Sequence, residues 1–341
     1  MHLPARRLRH TTLALLIALL LLGACGAADP TAAPAAPPAA VTLQLHWLHD
    51  YSSVGFYAAE KNGHYAGQNL QVTIAGGGFN DQGYIDATAQ VASGKADFGI
   101  ASADSIIRAR AEGRPVVGIA AIFQRSPLAI LSLGDKSIQT PQDLPGKKIL
   151  VADGGATQLY RTLLSLHKID EAKAPPLPRT ASGITPLVNG EVDAMLAWAI
   201  NEGVELKEAG QTPNVMLMSD YGIDSYELVL LTSEKMIAER PEVVTRFLRA
   251  TLQGWNDVVS NPDANVALVQ AYNSELKLEG QRSRLQATLP LLTLPGTKFG
   301  TMQPEFWQFT HQMLLDQKAL SAPIDLQSAY TLRFLEDAAK P

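Results

Sequence analysis

The sequence predicts an α/β fold built in two successive sheets, and three observations predict it. From Val41 onward, short apolar runs alternate with helical periods. The alternation restarts at Leu128, directly after an apolar run at Val116 to Phe123. A strong apolar strand at Tyr226 to Thr232 then precedes a tail that is helical to its end. Strand–helix alternation on this spacing calls for mostly parallel sheets flanked by helices, and 341 residues suit about two domains.

Taken in order, Val41 to His46 reads as a strand, Gly55 to Asn62 as a helix closed by Gly63, and Leu70 to Ala75 as a strand broken by Gly76-Gly77-Gly78. From Asp81 to Ser93, Tyr84, Ile85, Thr88, Val91 and Ala92 fall on one helical face. Phe98 to Ala101 is a strand, Ser102 to Glu112 a helix stopped by Gly113, and Val116 to Phe123 a strand. In the second half, Leu128 to Leu133 and Lys148 to Ala152 are strands, separated by a turn at Pro141 to Leu144. Gly154-Gly155-Ala156-Thr157 opens a helix to about Leu166, and strands follow near 177–180, 194–197 and 215–218. Pro241 starts a long helix with Val244, Phe247, Leu248, Thr251, Trp255, Val258 and Val259 on its apolar side, ended by Asn261-Pro262. Trp255 and Trp307 lie in apolar helical periods and read as core.

The first 40 residues carry an address. Arg6, Arg7 and Arg9 precede an unbroken apolar run from Leu13 to Leu22. Such a run is too short to span a bilayer, which takes about 20 residues, and fits the core of a secretory signal. It ends in Leu22-Gly23-Ala24-Cys25, the form of a bacterial lipobox, with Cys25 as the expected lipidation site. Residues 1–24 read as the lipoprotein signal peptide. Residues 25–40, dominated by the run DPTAAPAAPPAA, read as an extended tether that anchors the folded part to a membrane.

Composition narrows the function. Cys25 is the only cysteine, so no disulfide can form within the chain, and the folded part rests on its core. The 46% hydrophobic content supplies that core. Net charge is −5, and removing residues 1–24 takes off three arginines and no acid, leaving −8. An acidic chain without basic runs argues against nucleic-acid binding. There is no Walker loop, no Gly-x-Ser-x-Gly elbow and no dinucleotide fingerprint. His46-x-x-His49 with His64 lacks the three or four converging ligands of a metal site. No cofactor and no metal are expected.

A further set of motifs carries a resemblance. It comprises Gly55-Phe56-Tyr57, Ala96-Asp97-Phe98-Gly99, Gly113-x-Pro115-Val116-Val117, Ala120-Ala121-Ile122-Phe123-Gln124, Asp143-Leu144-x-Gly146-Lys147-Lys148 and Asn189-Gly190-Glu191-Val192-Asp193-Ala194. Over about residues 41–235 the chain resembles the thiamine-pyrimidine-synthase-like branch of bacterial periplasmic binding proteins. That branch includes receptors for thiamine pyrimidine precursors, riboflavin, taurine and alkanesulfonates. The resemblance implies a type II, two-lobed fold with a two-strand hinge, the first lobe at 41–125 plus 226–341 and the second at 126–225. It also implies a membrane-anchored receptor, outside the cytoplasm, that delivers a small molecule to the permease and ATPase subunits of an ABC importer.

In open α/β sheets ligands sit beyond the carboxyl ends of the strands, which nominates residues by position. Trp47 follows the first strand and Trp198 and Asn201 follow a second-lobe strand, suggesting an aromatic clamp across the cleft. Asn80, Ser102 and Asp104 follow first-lobe strands and are equally suited to helix capping. Gln124 ends the fourth strand, with an amide that both donates and accepts. Thr157 sits at a helix N-terminus whose free N–H groups can hold a carbonyl or an anion, with Tyr160 one turn on. Tyr226 starts the returning strand at the hinge.

These aromatic and neutral side chains favour a planar heteroaromatic vitamin or precursor. Riboflavin is the first expectation, a hydroxymethyl- or formylaminopyrimidine the second, and a taurine or alkanesulfonate the third. The fungal enzymes of the same branch use a cysteine-rich run and a histidine, and this chain has no cysteine after Cys25. The expectation is therefore a receptor and not an enzyme. A surface adhesion protein is disfavoured by the lack of repeats.

Overall fold

The computed structural model describes residues 37–340 apart from 137, 181–182 and 294–295. The signal, Cys25 and most of the tether lie outside the described residues. Among the described residues no helix is long and apolar enough to cross a membrane.

The chain lays down β1 (Ala39–Gln44), β2 (Leu70–Ala75), the short pair β3 (Phe79–Asn80) and β4 (Gly83–Tyr84), β5 (Phe98–Ala101) and β6 (Val116–Ala121). It continues through β7 (Leu128–Leu133), β8 (Ile149–Val151), β9 (Pro176–Pro178), β10 (Ala194–Trp198) and β11 (Pro213–Leu217), and returns in β12 (Val229–Ser233). One sheet has the order β2-β1-β5-β12-β6 and the other β11-β7-β10-β8-β9. Each sheet supports a lobe. The chain crosses between them twice, through 122–127 and through 218–228.

Each sheet is mostly parallel, with one strand running against the rest. In the first, β1 pairs parallel with β2 and β5, while β12 is antiparallel to β5 and β6. In the second, β8 pairs parallel with β9 and β10, while β7 is antiparallel to β10 and β11. The odd strand is in both cases the one on which the chain enters the lobe. It starts at the hinge and runs away from it, whereas the parallel strands end there. The carboxyl ends of both parallel sets therefore face the hinge side, where ligands of open α/β sheets bind.

Local chemistry corrects one predicted element. The helical face proposed for 81–93 is a β3–β4 hairpin followed by a helix confined to Ala87–Ala92. Asp86 caps that helix by accepting from the Thr88 backbone N–H at 2.9 Å, which fixes its start. The helix Pro241–Ser260 forms as its periodicity predicts and buries Val244, Phe247, Leu248, Thr251, Trp255 and Val258. Val259 is instead exposed. That helix lies backbone-to-backbone on Val54–Lys61. A Cβ on Gly254 would stand 2.2 Å from the Gly55 carbonyl oxygen, and one on Gly55 would stand 2.1 Å from the Trp255 ring. The helix Pro304–Asp316 buries Trp307, which stacks on Tyr330 at 4.7 Å. Its core cluster draws Ile106 and Val116 from the first lobe and Leu163 from the second.

Candidate functional site

At the hinge side a pocket of about 170 Å³ is lined by His46 beyond β1, Tyr84 and Asp86 beyond β4, Ala101, Ser102 and Ser105 beyond β5, Trp198 at the end of β10, and Glu227 on the returning link. Three first-lobe strand ends, one second-lobe strand end and the hinge thus converge. The ring of Trp198 faces that of His46 across it, with centroids 6.3 Å apart and planes 23° from parallel. Phe123, on the outgoing link, packs against Trp198 at a tilt, with ring centroids 6.0 Å apart.

The pocket's polar groups differ in how far they are committed. Asp86 accepts from Thr88 and from Arg114 Nη1 at 2.6 Å; burial works against its charge, but these bonds hold its carboxyl below the ordinary range. The hydroxyls of Ser102 and Ser105 meet each other at 2.9 Å. The Tyr84 hydroxyl donates to the His46 carbonyl at 2.9 Å. Two groups keep spare capacity. His46 Nδ1 is buried without a partner, and burial lowers its imidazole to about 4, so the ring is neutral. Glu227 accepts only a long bond from Ser126 Oγ, at 3.3 Å. Burial first, and then the nearby Asp104 charge, push its carboxyl up to about 7.

The expected residues distribute as follows. Trp198 and Ser102 line this pocket. Trp47 does not face Trp198. It stands at the rim, edge-on to Phe79 at 5.9 Å, and Phe79 in turn meets Tyr84, so an exposed aromatic lip borders the pocket. The residue that faces Trp198 is His46, one position earlier. Trp47 and Asn201 line an adjoining groove of about 760 Å³ that also spans both lobes. There Arg284 Nε donates to Asn201 Oδ1 at 2.9 Å and Arg284 Nη1 reaches Glu208 at 3.2 Å, tying the C-terminal part to the second lobe.

Asn80 sits in the exposed hairpin and accepts from the Gln82 N–H at 2.9 Å. Gln124 is buried on the outgoing link, donating its amide to the Ala121 carbonyl at 3.0 Å, and borders a small hinge cavity of about 220 Å³. Thr157 donates to the Ala152 carbonyl at 2.8 Å. Tyr160 and Tyr226 are both core residues with committed hydroxyls. Tyr160 donates to the Ala174 carbonyl at 3.0 Å, and Tyr226 accepts from the Gln303 N–H at 2.8 Å.

The helix N-terminus after Gly154 lies close to the Asp104 carboxylate. A Cβ on Gly155 would lie 3.0 Å from Asp104 Oδ2. Asp104 pairs with Arg108, whose other terminal nitrogen donates to Gln158 across the lobes at 3.1 Å. The three expected non-ligand histidines diverge. His49 meets the Tyr57 hydroxyl and His64 meets Asp257, and among the described residues no three acidic, histidine or cysteine side chains are placed to hold a metal.

Sequence reasoning missed His46 and Glu227 as pocket residues. His46 was detectable as the last residue of the run preceding Trp47. Glu227 carried no local signal.

The family model described as NMT1/THI5 like matches residues 51–265. The chain is 29% identical to the riboflavin-binding protein RibY of Chloroflexus aurantiacus, over 96% of this chain and 98% of that one. It is 27% identical to the formylaminopyrimidine-binding protein of Halalkalibacterium halodurans, over 94% and 97%. The periplasmic aliphatic sulphonate binding protein SsuA of Escherichia coli superposes with a TM-score of 0.67 at 16% identity, over 85% of this chain and 91% of that one, a likeness of fold.

Proposed function

This chain belongs to the NMT1/THI5-like family, and we propose that it is the substrate-binding component of an ABC importer for a planar heteroaromatic vitamin or vitamin precursor, riboflavin first. Export and a lipid on Cys25 would hold it on the outer side of a membrane, where the closed form meets permease and ATPase subunits. The absence of any cysteine beyond Cys25 favours a receptor over a pyrimidine synthase-like enzyme.

The observation that carries the reading is the pair His46 and Trp198, one from each lobe, facing across the pocket at 6.3 Å. A ring sandwiched between two others needs about 7 Å, twice the roughly 3.5 Å contact of carbon atoms. Lobe opening would widen this gap to admit a flat ring, and closure would then clamp it. Each stacked ring contributes about 0.5–1.5 kcal/mol beyond burial. The lip of Trp47, Phe79 and Tyr84 extends apolar surface outward from this gap, as a fused ring system would use. The relatives named for riboflavin and formylaminopyrimidine support the same class. A sulfonate is disfavoured because the pocket is lined by Asp86 and Glu227 and by no lysine or arginine.

One observation favours the smaller ligand. The pocket of about 170 Å³ lies below the roughly 300–1,000 Å³ of sites for drug-sized ligands, closer to the size of a single pyrimidine.

Mixing the mature protein with riboflavin should quench flavin fluorescence at micromolar concentration, and Trp198→Ala should weaken binding about tenfold, or about 1.4 kcal/mol. No quenching, with a thermal shift from a hydroxymethyl- or formylaminopyrimidine, would move the ligand to the second reading. A shift from sulfonates alone would refute the heteroaromatic class.

A further inference from the structure

We propose that Glu227 is the specificity-determining residue of the cleft, selecting a ring edge that presents an N–H donor beside a carbonyl or ring-nitrogen acceptor. This deepens the receptor reading above and rests on it. Of the polar side chains lining the pocket, Asp86 is held by Thr88 and Arg114, Ser102 and Ser105 bond to each other, the Tyr84 hydroxyl is spent on the His46 carbonyl, and His46, whose Nδ1 is also unpaired, offers its ring face to Trp198. Glu227 has only Ser126 Oγ at 3.3 Å, beyond a good O–H···O distance. It stands on the hinge link and lines the same pocket as the rings of Trp198 and His46. A planar ring stacked between those two would spend its faces on them and leave its edges for the pocket's polar side chains.

The carboxyl's chemistry sets what that edge must be. No lysine or arginine lines the pocket, and the charge that acts on Glu227 is that of Asp104, of like sign. Those surroundings favour the protonated acid, and a carboxylic acid donates from one oxygen and accepts at the other. Its match is an edge with a donor next to an acceptor, as in a cyclic imide or an aminopyrimidine. Neither a purely accepting edge nor an anion satisfies it. A buried polar group left unpaired discriminates more strongly than a lost apolar contact does.

The test uses the mature protein and two ligand pairs. Riboflavin and N3-methylriboflavin are titrated by flavin fluorescence. 4-Amino-5-hydroxymethyl-2-methylpyrimidine and its 4-dimethylamino analogue are titrated by calorimetry. For the parent that binds, wild type should prefer it to its N-blocked analogue by about tenfold or more. Glu227→Leu should remove that preference by weakening the parent and sparing the analogue. Glu227→Gln, which keeps a donor and an acceptor and guards against a folding failure, should retain part of it. A preference unchanged in both variants, or none in wild type, would overturn the assignment while leaving the receptor reading intact. Binding of neither parent would overturn the receptor reading and this assignment with it.

Discussion

Glu227 also makes the fold's stability depend on pH in a direction that can be worked out. Its carboxyl moves from an ordinary 4.5 to about 7 in the folded chain. A raised acid pKa means that the folded state holds a proton which the unfolded chain has released. The contribution is therefore present below about pH 4.5 and is lost as pH rises towards 7. At about 1.4 kcal/mol per pH unit the full loss is about 3 kcal/mol, and solvent entering the pocket reduces it to about 2 kcal/mol. Glu227→Gln removes the titration while keeping the shape. Thermal melts of wild type and Glu227→Gln between pH 5 and 8 should show the variant gaining about 4 °C relative to wild type as pH rises. His46, lowered to about 4, works in the opposite sense, its stabilisation being lost as pH falls from 6.5 towards 4. It is present in both proteins, so it cancels in the difference. A melting difference constant from pH 5 to 8 would refute the reasoning about Glu227.

Three further outcomes follow from the packing and the sequence. Gly254→Ala drives a methyl into the Gly55 carbonyl at the helix crossing and should cost about 3 kcal/mol, read by denaturant unfolding. Arg284→Ala removes the bonds to Asn201 and Glu208 that join the lobes. Ligand dissociation in stopped flow should quicken about threefold, or about 0.7 kcal/mol, the scale of a partly exposed ion pair. Cys25→Ser should leave the signal uncleaved by the lipoprotein pathway and release no lipid-anchored form, seen by mass spectrometry of membrane fractions.

What was legible in the sequence was local. β2, β5 and β7 fall where short apolar runs end at glycines or polar turns, and the Pro241 helix falls where a 3.6-residue period meets a proline start. The 81–93 segment misled because Tyr84, Ile85 and Thr88 fit a helical period, while the Asp86 cap made a later start cheaper. The cleft was legible as a place, because strand ends nominate it, but its side chains were decided by partners far away in the chain. β1 ends at Gln44, whose amide donates to the Gly76 carbonyl at 2.8 Å. The chain leaves the sheet there, so His46 faces Trp198 and Trp47 swings to the rim. Tyr160 and Tyr226 lie near the cleft in sequence terms, yet their hydroxyls bond to Ala174 and Gln303 and the rings stay in the core. Glu227 is an unremarkable acid between Tyr226 and Leu228 until Ser126 and Asp104 come beside it. The same holds for the Gly154 turn. Read alone it is a free anion site, but folding brings Asp104 to Gly155. A ligand entering this cleft would meet ring faces and two acids, Asp86 and Glu227, with the Asp104 carboxylate close beside the Gly155 turn.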